Sequence, residues 1–249
     1  MLRVVRRIMV TSHDIQKFLD SASIAPEVSE LRPDYRAVLL AVDGITPGPS
    51  DENSEELLKE AETTARAALA KHSVTEIPHV AAWRDAYKAF GAKPNKHRNS
   101  LEALTRRVEA GLPRVNRLTD IYNAVSVKHQ IPLGGEDLQK YSGPPRLIRA
   151  TGKEEFEVKT GGEIVKEHPD VGEVVWVDDA GVTCRRWNWR QGPRTALTDD
   201  TTTAIFICDA LGAMNDTELH TAVSELITEL EKLGPDVKVS QRTIAASAK

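Results

Sequence analysis

The run RRWNWRQG at 185–192 concentrates side chains that can recognise a ring or a polar ligand. Trp187 and Trp189 stand two positions apart, so on a strand they would share one face. The other face would hold Arg186, Asn188 and Arg190. Aromatic rings beside guanidinium groups suit a nucleobase, an aminoacyl group or a sugar. One interpretation of the run is therefore a ligand-binding strand.

A purely structural interpretation of the same run stands equally well. The two tryptophans can be core residues, and the arginines can be solvated or paired with Asp178 and Asp179. Asn188 and Gln191 supply the amide donors and acceptors that a polar pocket needs. The residue types alone leave both interpretations open.

The segment 84–117 is strongly basic. It holds nine Lys or Arg residues against three acidic residues, a local balance of +6 in a chain whose formal net charge is −4. Such a cluster is most often a solvated face. The alternative is a surface that follows a phosphate backbone, which needs cations and no particular bases.

Two further features lie between the basic segment and the tryptophan run. Asn123 falls on or near the buried stripe of a predicted helix, where an amide either ties a loop or contacts a ligand. The pair Gly134-Gly135 follows in IPLGGEDL, where we expect a turn that lets a ligand approach the backbone. Most Gly-Gly pairs are only turns, so this signal is weak by itself.

Several kinds of chemistry are not supported by any motif. The sequence has no Gly-x-Ser-x-Gly motif, no P-loop, no dinucleotide fingerprint and no cysteine with a plausible histidine partner. Cys184 and Cys208 lie in strand-like runs and are expected to be buried free thiols. We predict no metal and no cofactor. Any hydrolysis would rest on positioning a water and stabilising charge.

The length of 249 residues suits one large domain or two small ones, and the elements that must position these residues are mostly helices before Tyr141 and strands after it. Helices are predicted at 13–22, 54–72, 79–90, 100–110, 118–130 and 216–233, with Ser12, Ser54, Ser100 and Asn215 as N-caps. Strands are predicted at 2–10, 35–45, 146–150, 155–158, 173–178, 182–189 and 201–211, with a last strand from 238 and a hairpin turn at 178–181.

The overall composition is ordinary for a globular protein, with 40% hydrophobic and 28% charged residues. No apolar run approaches the roughly 18 residues of a transmembrane helix. The basic N-terminus has too short an apolar run for a secretory signal. We therefore expect a cytoplasmic protein without a membrane partner.

A set of residues between positions 85 and 210 is, taken together, more specific than any of these separate features. Its first half comprises Phe90-Gly91, Lys96, Arg98, Ser100, Ala103-Leu104, Arg107, Leu112-Pro113, Asn116, Asp120, Asn123-Ala124, Pro132, Gly134-Gly135 and Asp137. Its second half comprises Arg149-Ala150, Gly152, Glu155, Glu173, Asp178, 185–191 and Thr201. The pattern resembles freestanding homologues of the editing domain of the phenylalanyl-tRNA synthetase β subunit, the B3/B4 domain, which is often labelled tRNA-binding.

The resemblance implies an α+β fold in a single domain over 1–249. Its three layers would hold a β-sandwich of unusual topology flanked by helices, with residues 1–80 completing the core. It implies catalytic roles for Asp137, as the group that orients a water, and for Asn123. It implies substrate contacts by Gly134, Gly135, Trp187, Asn188, Trp189, Arg190 and Gln191. Contacts to tRNA are expected from Lys93, Lys96, Arg98, Arg106, Arg107 and Arg186.

The chain also departs from the family pattern at the expected pocket. The synthetase domain typically has Pro-Leu-His in the turn, and here Gly134 stands in place of the histidine. The synthetase has a glycine-rich segment where this chain has bulky and polar residues at 186–191. The tyrosine specificity of the synthetase domain is therefore not carried over.

Three functions remain as hypotheses. The first is a trans-acting hydrolase that removes the amino acid from mischarged tRNA and holds its acceptor end on the basic segment, with affinity that falls steeply as salt rises. Under this first hypothesis the protein can associate with a synthetase and does not bind DNA. The second is a non-catalytic RNA-binding module. The third is a small-molecule enzyme or amino-acid sensor on the same scaffold, with binding that does not depend on salt.

Overall fold

The computed structural model describes residues 12–246, so the strand predicted at 2–10 lies outside the described residues. The helices are α1 Ser12–Asp20, α2 Pro26–Leu31, α3 Glu52–Leu69, α4 Pro78–Ala89, α5 Ser100–Thr105, α6 Arg117–Lys128 and α7 Asp216–Glu231. The strands are β1 Ser23–Ile24, β2 Arg36–Asp43, β3 Leu133–Asp137, β4 Arg146–Arg149, β5 Phe156–Thr160, β6 Glu163–Glu167, β7 Val174–Val177, β8 Val182–Arg185, β9 Arg190–Gln191, β10 Thr203–Ala210 and β11 Lys238–Ala245. The predicted α+β class is confirmed.

The described strands form three sheets. A four-stranded antiparallel sheet has the order β11-β2-β10-β3. A five-stranded sheet has the order β1-β4-β7-β8-β9, in which only β1 and β4 run parallel. The third sheet is the β5–β6 hairpin. The β7–β8 hairpin turns at 178–181 as predicted, with the Asp178 amide donating to the Gly181 carbonyl at 3.0 Å.

The two larger sheets face each other across a hydrophobic cluster that contains Leu39, Ile205 and Trp176. Alternate residues of the central strands, such as Leu40 and Phe206, point to a second cluster formed with α6 and α7. The β5–β6 hairpin packs against the outer face of the five-stranded sheet. Two facing sheets with flanking helices confirm the expected layered arrangement.

Residues 12–80 pack into the same clusters as the β-rich half. Leu19 and Tyr35 lie in the cluster between the two sheets. Leu58 of α3 packs with Val127 of α6 in a third cluster. The region before position 80 therefore contributes side chains to the core from Ile15 onward.

The N-caps of two helices lie earlier in the sequence than predicted. The N-cap of α3 is Asp51, whose carboxylate accepts from the Ser54 amide at 2.9 Å, while the Ser54 hydroxyl accepts from the Asp51 amide at 3.0 Å. The N-cap of α5 is Asn99, whose side chain accepts from the Glu102 amide at 2.9 Å. Asn and Asp cap as well as Ser, so the choice of Ser54 and Ser100 as caps was wrong.

The Gly134-Gly135 pair lies in strand β3 and not in the predicted turn. Gly135 stands opposite Phe206 of β10 in the antiparallel register. A Cβ on Gly135 would lie 2.7 Å from Cε1 of the Phe206 ring. Glycine is needed here because an aromatic ring packs directly on the backbone, and no turn is involved.

Candidate functional site

Most of the predicted substrate-binding residues line one cleft of about 210 Å³, here called the main cleft. They are Gly134, Trp187, Asn188, Trp189, Arg190 and Gln191, and the predicted catalytic residue Asn123 also lines the cleft. The other lining residues are Ser100, Ala103, Leu104, Tyr122, Leu133, Glu136, Trp176, Cys184, Ile207 and Asp209. Ala103 and Arg190 are exposed whereas Asp209 is buried, so the cleft opens beside the first two and ends near the third.

Strand alternation decides which residues of β3 reach the main cleft. Gly134 and Glu136 line it, while Gly135 faces Phe206 and Leu197 on the other side of the sheet. Asp137 shares that other face because side chains alternate along a strand. The expectation that Gly135 and Asp137 border the pocket is therefore corrected.

The Asp137 carboxylate is occupied by structural contacts. It accepts hydrogen bonds from the Thr201 hydroxyl at 2.9 Å and from the Gln139 amide at 3.0 Å. Lys140 lies 3.5 Å from the same carboxylate. These contacts hold the end of β3, so Asp137 is not in position to orient a water in the main cleft.

The tryptophan run is not a continuous strand. Strand β8 ends at Arg185, and residues 186–189 form a turn in which Arg186 and Trp187 have φ of 47° and 66°. Bulky residues with such left-handed backbone cost about 1–3 kcal/mol each and persist where the surroundings hold them. The Trp187 amide donates to the Val174 carbonyl at 2.7 Å, and the Ser100 amide donates to the Asn188 carbonyl at 3.0 Å.

The two tryptophans consequently do different things, and the predicted shared face is corrected. Trp187 is fully buried, with its ring centroid 4.9 Å from that of Tyr35 and 5.3 Å from that of Trp83. Trp189 is half-buried and lies against Arg186, whose guanidinium carbon is 4.4 Å from the ring centroid. Trp187 therefore packs in the hydrophobic core, and Trp189 lines the side of the cleft.

Arg185 and Arg186 pair with Glu173, and not with Asp178 or Asp179. Arg185 makes a bidentate contact with Glu173, at 2.9 Å from Nε and 2.8 Å from Nη2. The Arg186 amide donates to the same carboxylate at 3.1 Å. Glu173 is almost fully buried, so this contact fixes the start of the turn.

A buried hydrogen-bond network marks the closed end of the main cleft. The Tyr35 hydroxyl donates to Asp209 Oδ1 at 2.6 Å, and Asn188 Nδ2 donates to Asp209 Oδ2 at 3.2 Å. The Tyr87 hydroxyl donates to Asn188 Oδ1 at 3.0 Å. Burial raises the pKa of Asp209 to about 7, although the bonds from Tyr35 and Asn188 oppose that shift.

A second carboxyl group lines the cleft from the neighbouring strand. Glu136 accepts hydrogen bonds from the Tyr141 hydroxyl and, at 3.0 Å, from the Thr195 hydroxyl. Burial raises the pKa of Glu136 to about 7. Burial also raises the pKa of the Cys184 thiol, and the charges of Glu136 and Asp209 raise it further. Cys184 is therefore a protonated thiol and not an activated nucleophile.

Two amide side chains complete the polar wall. The Asn123 side chain lines the cleft and makes no hydrogen bond to another side chain or backbone group of residues 12–246. Gln191 Nε2 donates to the Gly135 carbonyl at 3.1 Å. A Cβ on Gly134 would lie 2.7 Å from the same Nε2 atom. The absence of a side chain at 134 therefore lets Gln191 occupy that space.

The main cleft also presents polar groups that lack partners. Trp176 Nε1 and Ser100 Oγ are buried without a hydrogen bond in the described structure, and both residues line the cleft. Such groups are rare in folded proteins and are satisfied by water or a ligand. With two carboxyl groups and the Asn123 amide, they suit a small polar ligand that has an apolar body.

The basic segment is less available than its composition indicates. Six of its nine cations form ion pairs: Arg84, Lys88, Arg98, Arg106, Arg114 and Arg117. Three of them meet at the buried Glu102. The other three, Lys93, Lys96 and Arg107, are exposed and make no ion pair within residues 12–246. Of the predicted tRNA contacts, Arg98 and Arg106 are thus partly engaged by Glu102.

The residues that sequence reasoning missed are the two carboxyl groups of the cleft. Asp209 interrupts the apolar run AIFICDAL, and a carboxylate inside a buried strand is a recognisable signal. Glu136 follows Gly134 by two positions and so shares its face once β3 is known to be a strand. The turn interpretation of the glycine pair concealed that relationship.

The described part of the chain contains no group of three or more His, Cys, Asp or Glu side chains arranged to hold a metal ion. None of the helices within residues 12–246 combines the length and apolar composition needed to cross a membrane.

Comparisons with known proteins relate this architecture to a family. A solved N-terminal fragment of the phenylalanyl-tRNA synthetase β subunit from Pyrococcus horikoshii is similar at 12% identity and a TM-score of 0.44. The similarity covers 88% of this chain and 49% of that one, so the chain spans about half the length of the fragment. No curated protein matches significantly. The family model described as the B3/4 domain matches residues 82–231, more than half of the sequence, and the chain therefore belongs to the B3/4 domain family.

Proposed function

We propose that the main cleft binds the aminoacyl group of an aminoacyl-tRNA and that the protein hydrolyses the ester that joins it to the nucleic acid. The observation that carries the proposal is the pair of buried carboxyl groups, Glu136 and Asp209, each with a pKa raised to about 7. A base with a pKa near the working pH is the most effective at taking a proton from water.

The size of the main cleft supports an aminoacyl ligand. A volume of about 210 Å³ is below the roughly 300–1,000 Å³ of pockets that hold drug-sized molecules. The closed end is lined by the rings of Trp176 and Trp187, which suit an apolar side chain, and by Asp209, which suits a polar substituent. The ester would then lie towards the exposed Arg190.

The two carboxyl groups receive different roles. The Tyr141 and Thr195 hydroxyls donate to Glu136 on β3, which lines the main cleft together with Asn123 and Gln191, and we assign Glu136 to water activation. Asp209 is held by Tyr35 and by the Asn188 amide among core aromatic residues, and we assign it to ligand recognition. The Asn123 amide is the group available to bond the carbonyl oxygen of the ester.

The test is a deacylation assay of purified protein against a panel of correctly and wrongly charged tRNAs. We expect selective cleavage of one mischarged species, with a rate that rises with pH through about 7 as Glu136 loses its proton. Glu136→Gln should lower the rate by about 10²–10⁴-fold with tRNA binding retained. Asp137→Asn tests whether Asp137 or Glu136 acts on the water. It should lower the deacylation rate only if Asp137 orients the water.

A second candidate function is binding of a free amino acid without catalysis. It is favoured by the small number of unpaired cations, since only Lys93, Lys96 and Arg107 of the basic segment are free of ion pairs in the described structure. Absence of cleavage for every charged tRNA, with salt-independent binding of a free amino acid, would select this candidate and reject the hydrolase.

A further inference from the structure

A second cavity is lined by two residues, Arg186 and His97, that contact the Trp189 ring of the main cleft. It has a volume of about 380 Å³ and is here called the basic cavity. Its polar lining comprises Lys93, Lys96, His97, Arg186, Asp170 and Glu173. The Trp189 ring contacts the Arg186 guanidinium at 4.4 Å and the His97 ring at 4.9 Å between centroids. The indole ring that lines the main cleft therefore contacts two residues that line the basic cavity.

Arg186 is a buried cation with unused hydrogen-bonding capacity. Its side chain is 9% exposed, and Nη1 is buried without a hydrogen-bond partner in the described structure. Its Nη2 atom lies 3.5 Å from Asp170 and 3.4 Å from Glu173, which are long contacts. Burial lowers the pKa of Arg186, so its surroundings do not fully compensate its charge. A buried donor of this kind is normally satisfied by an anion or by water.

The neighbouring groups add to the same donor set. His97 Nδ1 is likewise buried without a partner. Burial and the charge of Arg186 lower the pKa of His97, so it is a neutral ring at neutral pH. Lys93 and Lys96 are exposed, line the cavity and make no ion pair within residues 12–246.

The two acidic residues of the cavity do not cancel these charges. Glu173 is held by the bidentate contact with Arg185, so its charge is already compensated. The Asp170 side chain is 85% exposed and can turn towards solvent. Arg186, Lys93 and Lys96 then face the cavity with an excess of positive charge.

From this geometry we infer that the basic cavity is a binding site for a phosphoryl group, held by the Arg186 guanidinium and by Lys93 and Lys96. Guanidinium and ammonium donors match a phosphate better than a neutral ligand. The inference rests on the proposed function in one respect only, because it assigns the phosphoryl group to the same ligand whose aminoacyl end occupies the main cleft.

The test uses calorimetric titration with inorganic phosphate and, separately, with a single-stranded ribotrinucleotide. The double variant Lys93→Ala/Lys96→Ala removes two exposed cations that make no structural contact in the described chain. Lys71→Ala/Lys159→Ala is the matched control, since it removes the same charge at exposed positions that line neither cavity. We expect phosphate to bind the first variant about tenfold or more weakly than wild type and the control unchanged.

Equal phosphate affinity of the double variant, the control and wild type would overturn the inference. If phosphate competes with the trinucleotide, the site belongs to the nucleic acid; if it does not, the site takes a free phosphorylated compound and the link to the main cleft is rejected. Glu136→Gln keeps this test separate from the proposed function, because it should lower the deacylation rate by about 10²–10⁴-fold and leave phosphate binding unchanged.

Discussion

At the scale of single residues, the buried carboxyl groups link the site to the stability of the protein. Asp209 holds its proton up to a pKa of about 7 in the folded chain, whereas an unfolded aspartate has a pKa near 3.8. Between these values the folded state binds more protons than the unfolded state, so the stability contributed by this group falls as pH rises. The contribution is complete below about pH 4 and lost above about pH 7.

Asp209→Asn removes this titration while keeping the shape of the side chain. We expect the free energy of unfolding of wild type, relative to Asp209→Asn, to fall by about 2 kcal/mol between pH 5 and pH 8. Chemical denaturation of both proteins at the two pH values measures the difference. A constant difference across that range would show that Asp209 titrates normally.

The glycine pair offers a second residue-scale prediction. Gly135→Ala places a Cβ 2.7 Å from the rigid Phe206 ring, and we expect a loss of about 1–3 kcal/mol of unfolding free energy. Gly134→Ala meets only the end of the flexible Gln191 side chain, which can swing away. It should change stability by less than about 1 kcal/mol. Urea denaturation compares the two variants, and equal destabilisation would contradict the assignment of their faces.

At the scale of elements, short helix α5 brings Ser100, Ala103 and Leu104 to the main cleft. Asn99→Ala removes its N-cap and should lower the free energy of unfolding by about 1 kcal/mol. Ser100→Ala is the control, because its hydroxyl has no partner in the described structure and should contribute little. Thermal denaturation of the two variants checks the difference, and the reverse order would restore Ser100 as the cap.

Elements with strong periodicity were predictable, and those set by tertiary contacts were not. The apolar run around β2 and the Asn215 cap of α7 follow from local sequence. The strand character of 133–137 depends on pairing with β10, seventy residues later, so a local signal of two glycines pointed to a turn. The left-handed residues Arg186 and Trp187 are held by Glu173 and Val174, which no local pattern reveals.

At the scale of the whole molecule, counting charged residues in the segment 84–117 overestimated the number of its cations that are free of ion pairs. A local balance of +6 ignores carboxylates that arrive from elsewhere in the chain, such as Glu55 and Glu62 on α3, which pair with Arg114. Residues 187–191 and Asn123 line one cleft, as the family resemblance implied, and their roles in binding and catalysis stay predictions. The two buried carboxyl groups were missed because their role depends on the face of each strand.

The pairing of charges predicts a shallow salt dependence for tRNA binding. Four cations of the basic segment and the main cleft, Lys93, Lys96, Arg107 and Arg190, make no ion pair within residues 12–246. If about four cations contact phosphates, the logarithm of the association constant should fall with the logarithm of salt concentration with a slope of about −3. If all nine cations of the basic segment contacted phosphates, the slope would be about −6. Filter binding between low and moderate salt measures this slope. A slope near about −6 would mean that the ion pairs of the basic segment break when tRNA binds.

The central position of β10 has a consequence for motion. Every residue of this strand is buried, and it is hydrogen-bonded to β2 on one side and β3 on the other. The β6 strand of the hairpin is exposed along its whole length. In deuterium exchange, the β10 amides should therefore be the last to exchange and the β6 amides among the first. Asp209 therefore lies on a strand whose hydrogen bonds we expect to break only on global unfolding. Local opening of peripheral strands such as β6 leaves its position unchanged.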